Sequence, residues 1–291
     1  MKASIRFWGV RGSIPSCGAH TPRVGGNTSC TEIEIGGRRI ILDGGTGLRA
    51  MGAACAGGHF SGCILFSHLH WDHIQGVPFF APLYHPGSRI ILMGPEGLRD
   101  ALERQMSRPF FPVGMDAMRA RIRFRTVKPG ADFAFGPVRV RTCALHHPGG
   151  AIAYRLEHGD MSAVHALDHE FGDASCDGAL IELARGADVL IADAQYLPEE
   201  YPSRRGWGHG TYEHCAALAE SAGVARLVLA HHDPQRDDGD VFFAEQQARL
   251  LFAASQAARE GTQIALEPSR AESPCIQRVL ESYLATALAA G

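Results

Sequence analysis

Short apolar runs, most of them closed by glycine-containing turns, recur along the chain and predict strands. In the first half these runs occupy residues 4–8, 31–35, 38–42, 63–66 and 89–93. In the second half they occupy residues 138–145, 151–156, 163–167, 189–192 and 227–230. Helical periodicity appears between strands, at 95–105 and 211–222. Strands in both halves with helices between them predict an α/β fold in which two sheets pack face to face with helices outside.

The pattern changes to mainly helical beyond Val241, where helices are predicted at 242–260 and 275–288. The chain contains no linker, low-complexity block or short-period repeat. We therefore expect residues 1–291 to form one domain.

Bulk composition is that of an ordinary soluble globular protein, with 45% hydrophobic and 20% charged residues. The formal net charge of -3 gives no overall positive field that would attract nucleic acid or an anionic membrane. No apolar run reaches membrane-spanning length, and the N-terminus shows no secretory signal. The eight cysteines contain no Cys-x-x-Cys pair and are expected to be reduced, buried thiols. These features predict a cytoplasmic location.

The most informative segment follows the run at 63–66 and reads Ser67-His68-Leu69-His70-Trp71-Asp72-His73. Three imidazoles and a carboxylate in six positions, delivered by a loop at the end of a strand, indicate a metal site. This ligand set favours zinc, manganese or iron over calcium. It also suits an open site that holds water, because a closed structural zinc site usually includes cysteines. The alternative is a histidine-rich surface loop that binds nothing.

Further ligand-competent side chains stand where later strands end. The run 138–145 leads into His146-His147, 163–167 leads into Asp168, and 227–230 leads into His231-His232. Asp193 also ends an apolar run and competes with Asp168 as a carboxylate shared by two cations. The sequence alone leaves open which histidine of each pair is the ligand.

The motif His68-Leu69-His70-Trp71-Asp72-His73 resembles the signature of the metallo-β-lactamase superfamily. The segments 7–15 and 25–30 resemble the phosphodiesterase branch of that superfamily, which includes ribonuclease Z and the phosphoribosyl cyclic phosphodiesterases. The resemblance extends from about Arg6 to about Asp240. It implies a four-layer αββα sandwich that binds two divalent cations, zinc or manganese.

The resemblance also implies how the candidate ligands are shared between the two ions. One ion would be held by His68, His70, His147 and Asp168. The other would be held by Asp72, His73, Asp168 and His231.

The same resemblance assigns Asp72, His209 and Asp193 as catalytic residues. His209, within Gly208-His209-Gly210-Thr211, matches a short Ala-His-Ser-Thr-like motif in which both small neighbours are glycine here. His209 would reach the substrate phosphate, and Asp193 would hold its other ring nitrogen. The alternative for His209 is a position before a helix without a catalytic role. Asp43 is expected to support a metal-bound imidazole rather than to bind metal.

These assignments predict metal-dependent hydrolysis of a phosphodiester. The chain lacks the long Gly/Lys-rich insertion with which ribonuclease Z holds transfer RNA, so a small cyclic phosphate or nucleotide is expected. An arginine stripe, Arg119, Arg121, Arg123 and Arg125, alternates with apolar residues as on a half-buried strand and predicts a solvated sheet face rather than an extended nucleic-acid surface. A ribonuclease Z-like endoribonuclease, a thioester or lactone hydrolase and a non-catalytic sensor are the alternatives. The resemblance also suggests a homodimer, and the net charge and the lack of a membrane-spanning run predict no membrane partner.

The segment 107–115 combines two prolines and a glycine with aromatic residues that normally seek burial. Two interpretations stay open. It is either a loop tucked under the sandwich or a wall beside the metal site that contacts an apolar or base-like part of the substrate.

Overall fold

A computed structural model of the protein describes residues 3–268, and within them the strands form two sheets of seven. The first sheet contains β1 (Ala3–Gly9), β2 (Cys30–Ile35), β3 (Arg38–Leu42), β4 (Ser61–Leu65), β5 (Arg89–Gly94) and β6 (Arg121–Thr126). The second contains β7 (Asp132–Phe135), β8 (Val138–Leu145), β9 (Ala151–His158), β10 (Met161–Ala166), β11 (Val189–Asp193), β12 (Leu227–Ala230) and β13 (Ser255–Ala257). The last strand, β14 (Gln263–Leu266), returns to the first sheet and pairs with β1.

Helices cover the outer face of each sheet. The first sheet carries α1 (Gly47–Ala53), α2 (Trp71–Ile74) and α3 (Leu98–Gln105). The second carries α4 (Ala174–Ala184), α5 (Tyr212–Ala222) and α6 (Asp238–Leu251). One hydrophobic cluster lies between the sheets and one lies under each helical layer. The predicted αββα sandwich is therefore confirmed.

Strand β4 shows why these runs are apolar at successive positions. Cys63 and Leu65 enter the cluster between the sheets, whereas Ile64 points outward into the cluster under the helices. Because neighbouring residues of a strand face opposite sides, a strand with both faces covered is hydrophobic throughout.

The strand directions place the loops that carry the candidate metal ligands at one edge of the two sheets. In the first sheet β3 to β6 run parallel, and in the second β10 to β13 run parallel. Strand β8 has the same direction as β10, because antiparallel β9 lies between them. Loops that follow parallel strands leave the sheet at the same edge, and that edge is where α/β proteins usually build their sites.

The ten predicted strands are confirmed, with ends shifted by no more than a few residues. The helix predicted at 242–260 is wrong beyond Leu251, because the chain there turns into strand β13 beside β12 and then into β14 beside β1. The helix predicted at 275–288 lies outside the described residues. Helices α1, α2 and α4 and strand β7 were not predicted.

Two further expectations from the sequence concern the cysteines and the absence of a membrane-spanning helix. The cysteines among residues 3–268 form no disulfide, but Cys17 is exposed rather than buried because it lies in a surface loop before β2. No helix in this described part has the length and hydropathy needed to cross a bilayer.

Candidate metal centre and active site

The candidate ligands converge at the edge where the parallel strands end. The loop after β4 carries His68 and His70 into α2, which carries Asp72 and His73. The ends of three strands of the second sheet supply the others, with His147 after β8, Asp168 after β10 and His231 after β12. Four overlapping sets of side chains could each hold an ion, one of them adding Asp193 and His209 to Asp168 and His231, and together the candidate ligands form two groups side by side.

The first group is formed by three imidazoles and one carboxylate oxygen. His147 Nε2 lies 3.0 Å from His70 Nδ1 and 3.6 Å from Asp168 Oδ1. His68 Nε2 lies 3.9 Å from the same carboxylate oxygen. The ligand atoms of the three histidines all lie within 4.8 Å of one another, so one cation can contact all of them.

The second group shares Asp168 with the first. His73 Nε2 lies 3.1 Å from Asp168 Oδ2 and 3.2 Å from Asp72 Oδ2. His231 Nε2 lies 3.2 Å from His73 Nε2, 3.3 Å from Asp72 Oδ2 and 3.4 Å from Asp168 Oδ2. Asp168 thus directs Oδ1 toward one group and Oδ2 toward the other, which is the arrangement of a carboxylate between two cations.

The hydrogen bonds behind the site fix the tautomers of two imidazoles. His73 Nδ1 lies 2.8 Å from Asp43 Oδ2, and His147 Nδ1 lies 2.9 Å from the carbonyl oxygen of Gly208. A carboxylate and a carbonyl only accept, so each Nδ1 carries a hydrogen and each Nε2 is the ring atom left to bind a proton or a metal cation. Each Nε2 faces other nitrogens and carboxylate oxygens, whose lone pairs repel one another unless a proton or a metal cation lies between them.

Two buried atoms without hydrogen-bond partners also indicate a place for a cation. His68 Nε2 and Asp168 Oδ2 are buried and have no hydrogen-bond partner among residues 3–268. Burial and the nearby charge of His73 lower the pKa of His68 to about 3, so its imidazole is neutral at neutral pH and available as a ligand. An orphaned imidazole nitrogen beside an orphaned carboxylate oxygen fits a divalent cation that prefers nitrogen and oxygen donors.

The electrostatics of the second group favour positive charge. Burial raises the pKa of Asp168, but the adjacent His231 and His73 lower it well below its ordinary value. Burial lowers the pKa of His73, whereas Asp168, Asp72 and Asp43 together raise it well above the ordinary value. The carboxylates thus stay ionised and attract a cation to this position.

His209 and Asp193 form a pair at the edge of the second group. His209 Nδ1 donates to Asp193 Oδ2 at 2.8 Å and lies 3.8 Å from Asp168 Oδ1. The Asp193 carboxylate also accepts from the backbone N–H of Asp168 at 3.0 Å and of Gln195 at 3.0 Å, and it lies 3.3 Å from His231 Nδ1. Asp193 therefore lies behind the imidazoles, whereas Asp168 lies between the two ligand groups.

The histidines next in sequence to the candidate ligands point elsewhere. His146 is exposed, and its Nδ1 lies 3.0 Å from the carbonyl oxygen of Glu170. His232 is buried, and its Nε2 lies 3.1 Å from the carbonyl oxygen of Ala258. The structure thus brings His147 and His231, and not their neighbours, into the cluster.

Sequence reasoning missed several groups that hold the ligands in place. Ser67 Oγ donates to Asp43 at 3.0 Å and lies 3.0 Å from His68 Nδ1. The backbone N–H of Ser13 donates to Asp72 Oδ2 at 2.7 Å. Gly208 supplies its carbonyl to His147, and its φ of +86° with close contacts to His147 explains why glycine replaces alanine there. Backbone donors and acceptors leave no signal in side-chain chemistry, although the unusual Gly208 was visible in the sequence.

The segment 107–115 lies beside the motif loop. The interpretation as a loop tucked under the sandwich is wrong for Phe110, because this side chain is exposed. Phe110 is 79% exposed, whereas Phe111 and Met115 pack against the cluster under the first helical layer. Phe110 and Phe111 line a cavity together with Trp71 of the motif.

The fold and the site define a metal-dependent hydrolase built on a four-layer sandwich. The model of the β-lactamase superfamily domain matches residues 38–232. The chain belongs to the metallo-β-lactamase superfamily and is a hydrolase.

Named relatives add detail to this assignment. A ribonuclease Z from Bradyrhizobium sp. (strain ORS 278) is 27% identical over 300 residues, which cover 87% of this chain and 96% of the relative. The metallo-β-lactamase fold protein YhfI from Bacillus subtilis has a TM-score of 0.71 at 18% identity, covering 90% of this chain and 98% of that one. A diphosphatase from the PhnP family has a TM-score of 0.68 at 20% identity, covering 91% of this chain and 100% of that one. The two structural likenesses show the fold.

Proposed function

We propose that residues 1–291 form one domain that hydrolyses a small, cyclic phosphodiester with two divalent cations bound. The observation that carries this proposal is the placement of Asp168, with one carboxylate oxygen beside each group of candidate ligands. The kinship with ribonuclease Z supports phosphodiester chemistry, because that relative is named as a nuclease.

The two groups of side chains would divide the cations between them. His68, His70, His147 and Asp168 Oδ1 would hold one, and Asp72, His73, His231 and Asp168 Oδ2 would hold the other. When bound, two zinc or manganese ions would supply a water of lowered pKa as nucleophile and would neutralise the non-bridging phosphate oxygens.

The residues around this pair would handle the proton and the geometry. Asp193 accepts from His209 Nδ1, so the Nε2 atom of the same ring is free to meet the substrate. In its protonated form His209 would donate the Nε2 hydrogen to the alkoxide oxygen that leaves phosphorus. Ser13, through its backbone N–H, would keep the Asp72 carboxylate in the orientation that the site requires.

The preference for a small substrate rests on charge and on the position of the arginines. The net charge is -3, and three arginines of the stripe, Arg121, Arg123 and Arg125, lie on the edge strand β6, with Arg119 just before it. Arg121 pairs with Arg89 at the amino ends of their strands, which is the end opposite to the candidate metal centre. Phosphate recognition at the centre therefore depends on the local site.

Hydrolysis of bis(p-nitrophenyl) phosphate by the purified protein tests the reaction. We expect turnover to stop on chelation and to return with zinc or manganese, and full activity in metal-free protein would contradict the proposal. Cyclic nucleotides, ribose cyclic phosphates and S-lactoylglutathione should then be compared. Turnover of the thioester without any diester would show a thioester hydrolase instead.

A ribonuclease Z-like endoribonuclease is the second candidate, favoured by the identity to a named ribonuclease Z over 87% of the chain. Precursor transfer RNA separates the two functions. Cleavage of that RNA with a higher kcat/KM than any cyclic phosphate would establish the endoribonuclease.

A further inference from the structure

A cavity of about 790 Å³ adjoins the motif loop. Leu69 and Trp71, on either side of the candidate ligand His70, form part of its lining. The rest comes from α3, from the residues after α2 and from the segment 107–115. The cavity is therefore continuous with the loop that carries the candidate metal ligands, and none of the catalytic roles proposed above uses it.

Exposed aromatic side chains concentrate around this cavity. Trp71 is 72% exposed, Phe79 is 55% exposed and Phe110 is 79% exposed. Phe79 also meets Phe111 edge to face, with ring centroids 5.7 Å apart. Large aromatic surfaces left in water beside a site mark a place where a ligand binds, and flat rings stack on them.

The cavity also offers polar groups that a purely hydrocarbon ligand would leave unused. Gln105 lines it, and the Oε1 atom of this side chain is buried without a hydrogen-bond partner among residues 3–268. Its Nε2 atom donates to the carbonyl of Ile74 at 2.9 Å, so the amide orientation is fixed. Arg104 lines the same cavity and forms no ion pair with a carboxylate in the described chain. A buried acceptor without a donor costs free energy that a ligand N–H would recover.

We propose that this cavity binds the heterocyclic base of a nucleoside phosphodiester, so that the preferred substrate is a nucleotide rather than the cyclic phosphate of a bare sugar. The phosphate would lie at the candidate metal centre, and the base would stack on Trp71 and Phe110 with an N–H directed to Gln105. This inference rests on the proposed function, because it identifies the group that the phosphodiester carries.

Two substrates that differ only in the base test the proposal. We expect adenosine 2′,3′-cyclic phosphate to be preferred over ribose 2′,3′-cyclic phosphate. Trp71→Ala should raise KM for the adenosine compound about tenfold, the loss expected for one stacking contact. The ratio of kcat/KM for the adenosine compound to kcat/KM for the sugar compound should therefore fall about tenfold, because stacking acts only on the base, whereas any disturbance of the neighbouring His70 and Asp72 lowers both values. Phe110→Ala should show a smaller loss in the same direction, and Trp71→Phe should restore most of the affinity.

Phe243→Ala is the matched control, because Phe243 is an exposed aromatic residue on α6, outside the cavity lining. It should leave both substrates unaffected. Equal kcat/KM for the two substrates in the wild-type protein, or equal losses on both in Trp71→Ala, would overturn the proposal.

Calorimetry with adenosine alone separates this inference from the proposed function. If no phosphodiester is hydrolysed, the proposed function fails, but adenosine binding that Trp71→Ala weakens and Phe243→Ala does not would still support the base site. No difference between Trp71→Ala and the wild-type protein would reject it. Sedimentation of the same variants tests whether a second copy of the chain occupies the cavity instead of a base. If the wild-type protein is a dimer that Trp71→Ala dissociates, a second copy fills the cavity and the proposal is wrong.

Discussion

The two halves of the molecule contribute to the candidate metal centre in different ways. The first half supplies four side chains from one short segment, residues 68–73. The second half supplies single residues from separate strand ends, namely His147, Asp168 and His231. The first contribution is a local property of the sequence, whereas the second depends on three strands ending at the same edge of a sheet.

The backbone conformation differs between these contributions as well. Asp168 has a φ of +64° and His231 a φ of +61°, a region that non-glycine residues rarely adopt. Within the described motif segment 67–73 no residue has a positive φ. Each such residue costs on the order of 1–2 kcal/mol, so packing around the second sheet must hold these ligands in place. Asp168 and His231 are therefore the candidate ligands with strained backbone, whereas His147 is not among the residues of positive φ.

Replacement of Asp168 by alanine should have the largest effect, because this carboxylate faces both groups. We expect hydrolysis of bis(p-nitrophenyl) phosphate to fall at least about a thousandfold, since the variant loses the carboxylate that lies between the two groups of candidate ligands. Elemental analysis should show that most of the bound metal is lost. His146→Ala is the control, as His146 is exposed and lies next to a candidate ligand. Retention of full metal content by Asp168→Ala would contradict the shared-carboxylate arrangement.

Asp43→Asn tests the support of the first half. The Asp43 carboxylate accepts from His73 Nδ1 and from the backbone N–H of Ser67, so an amide in its place would weaken the control of the imidazole tautomer. We expect zinc affinity to fall about 10- to 100-fold. Competition with a chromogenic chelator measures this. Asp132→Asn, at an exposed carboxylate paired with Arg139, should leave the affinity unchanged, and an equal loss in both variants would refute the specific role of Asp43.

Gly208→Ala tests the corresponding support in the second half. A Cβ atom on Gly208 would meet His147 Nδ1 at 2.1 Å, whereas one on Gly206 would meet nothing within 4 Å. Both glycines have nearly the same φ, +86° and +84°. Both alanine variants should therefore lose about 1 kcal/mol of unfolding free energy through backbone strain.

The activities of these two variants should differ. Gly208→Ala displaces His147 and should lower activity about tenfold below that of Gly206→Ala. Chemical denaturation and steady-state kinetics on both variants separate strain from displacement. Equal kcat/KM values would show that the carbonyl of Gly208 does not position the ligand.

Sequence patterns located the bounds of β3, β8 and β12 at their predicted ranges. Strand β12 is a continuous apolar run buried at every position, as expected for a strand with both faces covered, whereas β3 and the first half of β8 include arginines and owe their predicted bounds to the apolar residues between them. Strand β13, Ser255–Ala257, lies in an alanine-rich stretch whose local preference is helical, and its pairing with β12 overrides that preference. Local propensity contains no information about such a partner.

Prediction of the candidate site was limited in the same way, because sequence patterns do not show which backbone groups meet in the folded chain. The motif at 68–73 indicated a metal site by itself, since its ligands are neighbours in sequence. The backbone N–H of Ser13 and the carbonyl of Gly208 were not found, because every residue except proline has such groups and only the folded chain selects two of them. The remote residues Asp168 and His231 were found through strand ends and through family resemblance.

The smallest effect is expected at the arginine stripe, which belongs to the first half but lies away from its motif. Glutamine at Arg119, Arg121, Arg123 and Arg125 should change kcat/KM for a small cyclic diester by less than about twofold, since exposed charges on an edge strand are screened by solvent and salt. Assays with a cyclic nucleotide and with precursor transfer RNA, each at two salt concentrations, measure this. A large loss confined to the RNA, and greatest at low salt, would show that these arginines contact a polyanion. The first half would then contribute both metal ligands and a nucleic-acid surface, and the endoribonuclease would replace the small-substrate enzyme.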